Sequence, residues 1–357
     1  MANNGYHIVK ALREEHIDAE LIINTADFGM GLPMWEEISI QMDPYNVDFN
    51  KLIEKWPLPE WIKTWKYDKN NSVYNYTSLF KLTKPYDLLH LHPPTPMYLQ
   101  FTNKPKIIHE AGWVRLFHLD TPTHKLGRRA YQNADCIIYT NPDTYPLIEK
   151  LNCKRVEFIP FVIPPEQYKP GPETNRDELL FFHPTRHVWD VKGNDKLLKA
   201  FGQFIKEGYR AKLRLVDWGW DEDVEKSKLL IKKLGIEKYV EWVNPYTKPD
   251  LIKAYHESDA IFDQFILGSG GTTCYEAMSC SKPLAIYLNH WNEKCFGEMP
   301  PVINVCNIKE IHQTMIDLTD EKYRRNTGSK GRTFTLKYNN PKTIAENLIK
   351  IYMEVRK

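Results

Sequence analysis

A chain of 357 residues with 42% hydrophobic and 26% charged residues can bury two cores, which excludes a disordered or fibrous chain. A formal net charge of +2 excludes the lopsided basic charge usual in nucleic-acid binders, so no nucleic-acid partner is expected. No apolar run reaches the roughly 20 residues that span a bilayer, and the six cysteines form no closely spaced pair, so they read as reduced thiols in a cytosolic chain.

The opening stretch 5–16 has the spacing of an amphipathic helix and lacks a signal-peptide core. Short β-rich runs follow at 19–24, 86–92, 106–112, 135–140 and 155–161, with helical stretches between the later ones. The segment 163–177 is broken by Pro, Gly and charge and reads as a linker. A second alternation then begins, with strands at 178–184, 212–218, 239–244, 259–265, 283–288 and 302–305. Helices are predicted at 193–207, 221–234, 247–257 and 272–280, and 307–356 is mostly helical. Alternation of this kind predicts two α/β units of doubly wound parallel sheet. Ligands in such sheets bind beyond the carboxyl ends of the strands, and the cleft between two facing units is the natural site.

Two loops at predicted strand ends carry the chemistry. The first holds Asp263 and Gln264, then a glycine cluster at Gly268, Gly270 and Gly271, then Thr272 and Thr273 at the start of a helix that contains Glu276. Unpaired N–H groups and the helix dipole favour an anion there, and glycines let it approach the backbone. A carboxylate one turn into the helix suits the paired hydroxyls of a ribose. The loop fits neither the P-loop nor the dinucleotide-fold glycine pattern, and a tight turn before a threonine-capped helix explains the same glycines. The second loop holds Arg186 and Lys192-Gly193, two cations that would neutralise a departing diphosphate; a solvated loop with ordinary charges is the alternative.

Taken together, Arg186, Lys192-Gly193, "LRLVDWG", "LGIEKYVEWVNPY", "LIKAYHESDAIFDQF" and "GSGGTTCYEAMSCSKPLAIY" resemble the donor half of the family 4-type (group 1) GT-B glycosyltransferases, nearest the subgroup with a DQ…G..G…EAM loop. "KIIHEAG", "RRAYQNADCIIYTNPD" and "IPFVIPPEQYKP" resemble the acceptor half. The resemblance implies the GT-B fold, two facing Rossmann-like domains with an interdomain cleft. The boundaries it implies are an acceptor-side domain at 1–162, a linker at 163–177, a nucleotide-sugar donor domain at 178–338 and a C-terminal helix at 339–357 that packs back on the first domain. It implies retaining transfer of a sugar from a nucleotide-diphosphate donor to an acceptor hydroxyl, on a glycan or a lipid-linked acceptor, with no cofactor and no metal. By the same resemblance Arg186 and Lys192 act on the diphosphate, with His109 and Glu110 facing them from the acceptor side. Gly268, Gly270, Gly271, Thr272, Thr273, Glu276, Asp263, Gln264 and Asn244 line the donor. A packed strand-end histidine is the other reading of His109.

Three departures from the family pattern stand out. The first of its paired glutamates falls here on Gly268, so that Asp263 or Gln264 would take over part of its role. The helix exit has Ser281 where glycine is usual, at the position of a left-handed cap. The usual first strand does not precede the helix at 5–16. These departures keep open a nucleotide-sugar epimerase or hydrolase on the same fold, and a non-catalytic partner subunit. His90 and His92 lie on one strand face without an evident third metal ligand. The aromatic, mildly basic stretch 56–76 reads as a partly buried insertion in a helical region, or as an acceptor platform or membrane-surface patch, giving a cytoplasmic protein or one peripheral at the inner face of the membrane. No nucleophile elbow of the hydrolase type is present.

Overall fold

The computed structural model describes residues 3–26, 29–40, 43, 46–172, 176–220 and 222–356. The chain forms two compact units, one of residues 1–33, 48–162 and 341–357, the other of 34–47 and 163–340.

The first unit holds two parallel sheets. β1 (Leu21–Asn24) pairs with β2 (Ile62–Trp65). β3 (Leu89–Leu91), β4 (Lys106–Glu110), β5 (Cys136–Tyr139) and β6 (Val156–Phe158) form a four-stranded sheet in that order. β4 and β5 are apolar on both faces because helices cover both. Ile8 and Leu12 of the N-terminal helix (Asn4–Glu14), Ile107 and Ile138, and Ile344 and Leu348 of the C-terminal helix (Pro341–Val355) share one core. The stretch 56–76 differs from the expected insertion. It supplies β2, whose Ile62 and Trp65 are buried, and the start of a helix, Ser72–Thr83.

The second unit is one parallel sheet. Its strands are β7 (Leu179–His183), β8 (Ala211–Val216), β9 (Val240–Val243), β10 (Ala260–Phe262), β11 (Leu284–Ile286) and β12 (Ile303–Asn304), ordered β12-β11-β10-β7-β8-β9. Chain order reverses between β7 and β10, which pair at Phe181–Ala260 and Phe182–Ile261. Such a switch point opens a crevice at the carboxyl ends of the two central strands. Phe181, Phe201, Phe204 and Phe262 fill the core beneath it. The segment predicted as a linker packs into this unit: Tyr168 is 1% exposed, and its carbonyl accepts from Ser279 Oγ at 2.8 Å and Arg332 Nη1 at 3.1 Å.

The helix after β10 (Thr272–Ser279) ends in a Schellman turn. The N–H of Lys282 reaches the Ala277 carbonyl and that of Ser281 the Met278 carbonyl, each at 3.0 Å, with Ser281 left-handed at φ 57°. The left-handed cap expected at the glycine-less exit is therefore present. Gly328 of the helix Glu321–Tyr338 crosses this turn so closely that a Cβ there would lie 2.0 Å from the Ser281 carbonyl oxygen.

Candidate donor site

The loops after β7 and β10 meet at the switch point. The Phe265 N–H donates to the Lys192 carbonyl at 2.8 Å. Gly193 is left-handed at φ 70°, and a Cβ on it would press on Phe265 and Ile266 at 3.3 Å. Glycine next to Lys192 is thus required twice, by conformation and by the approach of the second loop.

Buried polar groups hold the first loop. His183 Nδ1 lies 2.7 Å from the Phe262 carbonyl, and its Nε2 accepts from Asn194 Nδ2 at 2.8 Å. Asn194 also accepts from the Val188 N–H at 2.9 Å and donates to the Arg186 carbonyl at 3.3 Å. His187 Nδ1 meets Ser227 Oγ at 2.7 Å. Burial pushes His183 down to about 3 and His187 to about 4, so both work as neutral spacers. The Arg186 guanidinium lies 3.8 Å over the Trp220 ring and 5.8 Å from that of Trp218, a cation–π stack that fixes the plane of the fork.

Gln264 braces the second loop. Its Oε1 accepts from the N–H groups of Ile266 (3.1 Å), Leu267 (2.7 Å) and Gly268 (3.4 Å), and its Nε2 donates to the carbonyls of Ser269 (3.2 Å) and Tyr287 (2.7 Å). Every polar atom of the side chain is engaged with backbone. Gly268 is left-handed at φ 79°, and a Cβ there would lie 3.0 Å from Asn289 Nδ2. A glutamate at this position would meet both obstacles, which accounts physically for the departure seen in the sequence.

Asp263 and Ser269 lie between the loops, each 2% exposed. Burial raises the Asp263 carboxyl, while the Lys192 charge and the Thr185 hydroxyl act to hold it down. Asp263 Oδ1 and Ser269 Oγ are buried without a hydrogen-bond partner among the described residues. Gly271, Thr272 and Thr273 open the helix with no side-chain cap, so the first N–H groups point out of it, and a Cβ on Gly271 would meet open space. Asn244 follows β9 and is exposed.

Glu276 lies in a buried polar cluster. Its carboxylate pairs with Lys248 Nζ and accepts from Tyr168 Oη and Tyr255 Oη, both at 3.3 Å. Tyr168 Oη also reaches Glu36 Oε2 at 3.4 Å. Although burial disfavours the Lys248 charge, Glu276 and Glu36 raise its pKa above the ordinary value. Lys248, Tyr168 and Tyr255 escaped sequence reasoning, because contacts over such separations leave no local pattern; a ribose reaching Glu276 would have to share it with them.

In the first unit His109 and Glu110 are both fully buried. The Glu110 carboxylate accepts from the N–H groups of Gly112 and Val114 and from Tyr131 Oη, so it caps the turn after β4. Burial raises its pKa against those hydrogen bonds. His109 belongs to a chain: Asn4 Nδ2 to His109 Nε2 at 3.3 Å, His109 Nδ1 to His90 Nε2 at 3.0 Å, His90 Nδ1 to Tyr352 Oη at 2.6 Å. His90, His92 and His109 bring ring nitrogens within 4.8 Å of one another, as a metal site would. Their rings are stacked, with interplanar angles of 9° to 18°. Lone pairs lie in the ring planes, so parallel rings do not converge on one ion. Burial lowers all three pKa values, to about 3 at His90 and about 4 at His92, which suits neutral rings passing hydrogen bonds along.

Residues 166–334 match the family model described as glycosyl transferases group 1. The second unit carries a glycosyl transferase domain. Transferase chemistry on a sugar follows from that domain. Among solved structures, Thermosynechococcus elongatus sucrose-phosphate synthase is similar over 98% of this chain and 91% of its own, with TM-score 0.69 and 15% identity. Anabaena HepE in complex with UDP and glucose is similar over 86% of this chain and 89% of its own (TM-score 0.70, 14% identity). A Rickettsia africae glycosyltransferase is similar over 100% and 95% (TM-score 0.69, 14% identity). At these identities the likeness concerns the fold, which is that of the GT-B glycosyltransferases. No curated protein matches by sequence. Among the described residues no helix is long and apolar enough to cross a membrane.

Proposed function

We propose that this glycosyl transferase moves a sugar from a nucleoside-diphosphate sugar to a hydroxyl of a glycan or lipid-linked acceptor, with retention of configuration and without a metal ion. The observation that carries the reading is the meeting of the Lys192 loop and the glycine loop at the β7–β10 switch point. A pair of cations and a row of helix N–H groups at one sheet edge is the equipment for charge building up on a leaving diphosphate.

Arg186 presents donors held in plane by Trp220, and Lys192 supplies a point charge. The N–H groups of Gly271, Thr272 and Thr273 face the phosphates. Gly268 and Gly270 keep the loop low, and Gln264 fixes its shape. Asp263 Oδ1 and Ser269 Oγ, buried and unpartnered, are the groups best placed to take sugar hydroxyls. Asn244 flanks the base, and Glu276 takes the ribose by exchanging hydrogen bonds with its tyrosine neighbours. His109 and Glu110 shape the acceptor side through the hydrogen bonds they already make. HepE, solved with UDP and glucose, makes a UDP-sugar the first donor to try. TarM of S. aureus, solved with α-GlcNAc-glycerol and UDP, points to polymer acceptors.

Calorimetric titration with UDP, GDP and ADP in the presence of a chelator tests the site. One diphosphate is expected to bind, at least tenfold more weakly in Lys192→Ala and Arg186→Ala. Absence of binding by all three, or binding that needs a divalent ion, overturns the proposal in its present form.

A further inference from the structure

The first unit contains a cavity of about 640 Å³, lined by β1 on one side and β3 on the other. Both strands are sheet edges there, since β1 pairs only with β2 and β3 only with β4 among the described residues. Backbone direction decides what faces the cavity. Leu21 donates to the Trp61 carbonyl at 2.9 Å and Thr25 to the Trp65 carbonyl at 2.7 Å, both toward β2. Peptide groups alternate along a strand, so those of Ile22 and Asn24 point the other way. Leu89 likewise donates toward β4, to the Pro105 carbonyl at 2.9 Å, which turns the His90 N–H and C=O away from its sheet. Two rows of backbone donors and acceptors thus border one cavity. Its walls are apolar: Val9 and Leu12 of the N-terminal helix, Tyr352 of the C-terminal helix, and Leu79 opposite.

We infer that this cavity is a strand-binding slot, and that its occupant is an extended apolar peptide segment joined to the N-terminal side of the helix Asn4–Glu14. A sugar or a lipid tail would use the apolar walls and leave both rows of backbone groups unmet, which is costly in a buried place. An extended peptide meets both rows at once and needs apolar side chains on both of its faces, because both faces of the slot are covered. The join is fixed by topology. Asn3 and Gly5, at the start of the helix, line the same cavity, and the helix leads directly into β1. A strand in the slot followed by this helix and β1 makes a β–α–β unit, the short crossover by which parallel neighbours are connected. It would bring the two small sheets of the unit into one.

The test compares the chain as given with two fusions ahead of Asn3, one a valine–isoleucine run of about six residues, the usual strand length, the other glycine–serine of equal length. Amide hydrogen exchange and thermal unfolding are read on all three. The apolar fusion alone is expected to slow exchange about a hundredfold at Ile22, Asn24 and His90, and to raise the midpoint by about 5 °C. A proline at the centre of the apolar run, which removes a donor, is expected to undo most of the gain. Equal exchange at these three amides in both fusions overturns the inference. So does a concentration-dependent dimer of the unfused chain with the same amides protected, which would assign the slot to a second copy. A fatty-acid probe that binds the apolar fusion as tightly as the unfused chain overturns it too.

Discussion

Lys248 Nζ and the Glu276 carboxylate form a buried ion pair across 28 residues of sequence, with side-chain exposures of 6% and 3%. The pair joins the helix Lys248–Glu257 to the helix that opens the donor loop. Removing one partner strands the other charge, at a cost of roughly 3–5 kcal/mol. Lys248→Met and Glu276→Met are each expected to lower stability by that order in urea unfolding, and the double variant to recover most of the loss. A donor contact at Glu276 predicts further that the double variant, though folded, binds the nucleoside diphosphate more weakly than wild type.

The Schellman turn gives a gain-of-stability prediction. Ser281 is left-handed at φ 57°, a region disfavoured for a side chain by roughly 1–2 kcal/mol. Ser281→Gly is expected to raise stability by about 1 kcal/mol, less the extra chain entropy of glycine. Gly268→Ala is expected to act in the opposite sense and to weaken nucleotide binding, since the donor loop must deform. Denaturant midpoints for the two variants check both.

The buried histidines make the protein acid-sensitive in a defined window. His90 and His183 fall to about 3 and His92 and His187 to about 4, against 6.5 when exposed. Below pH 6.5 the unfolded chain takes up protons that the folded chain refuses. The stability that neutral histidines contribute is therefore complete above about pH 6.5 and is lost as pH falls toward their folded values, at about 1.4 kcal/mol per pH unit for each. The unfolding midpoint is expected to drop steadily between pH 7 and pH 5, and His92→Phe to flatten the slope.

The helix Ser72–Thr83 exposes Val73 (74%), Tyr76 (39%) and Phe80 (47%) along one face, with exposed Lys81 and Lys84 nearby. A basic, aromatic face of this kind suits an anionic lipid surface and so a lipid-linked acceptor. Co-sedimentation with phosphatidylglycerol vesicles is expected, with Tyr76→Ser/Phe80→Ser and added salt each reducing it several-fold. Recovery of the double variant at wild-type levels removes the membrane reading.

Much of the second unit was legible because its signals are local. "ELLFFHP" and "DAIFDQF" are apolar runs with polar stops, and they became β7 and β10. Ser281 stood where the helix exit needs a left-handed residue, and it is one. β2 was missed because Trp, Lys and Tyr around "WIKTW" obscured a short alternation. The bracing role of Gln264 and the Lys248–Glu276 pair were illegible for another reason: each depends on which atoms lie opposite after folding. The stacking of three histidine rings is of the same kind, since spacing places side chains on a face but does not set the angle between their planes.

The first unit is assembled from three separate stretches, with Ile344 and Leu348 of the last helix packed against Ile8 and Leu12 of the first. During synthesis its core lacks a wall until the final residues have left the ribosome. The second unit, nearly continuous in sequence, can close earlier. A chain stopped short of Pro341 would therefore carry a nucleotide-binding half able to fold beside a half left open along Ile8 and Leu12. Quality control would meet that surface, and the last turn of the gene product acts as the signal that the whole has been made.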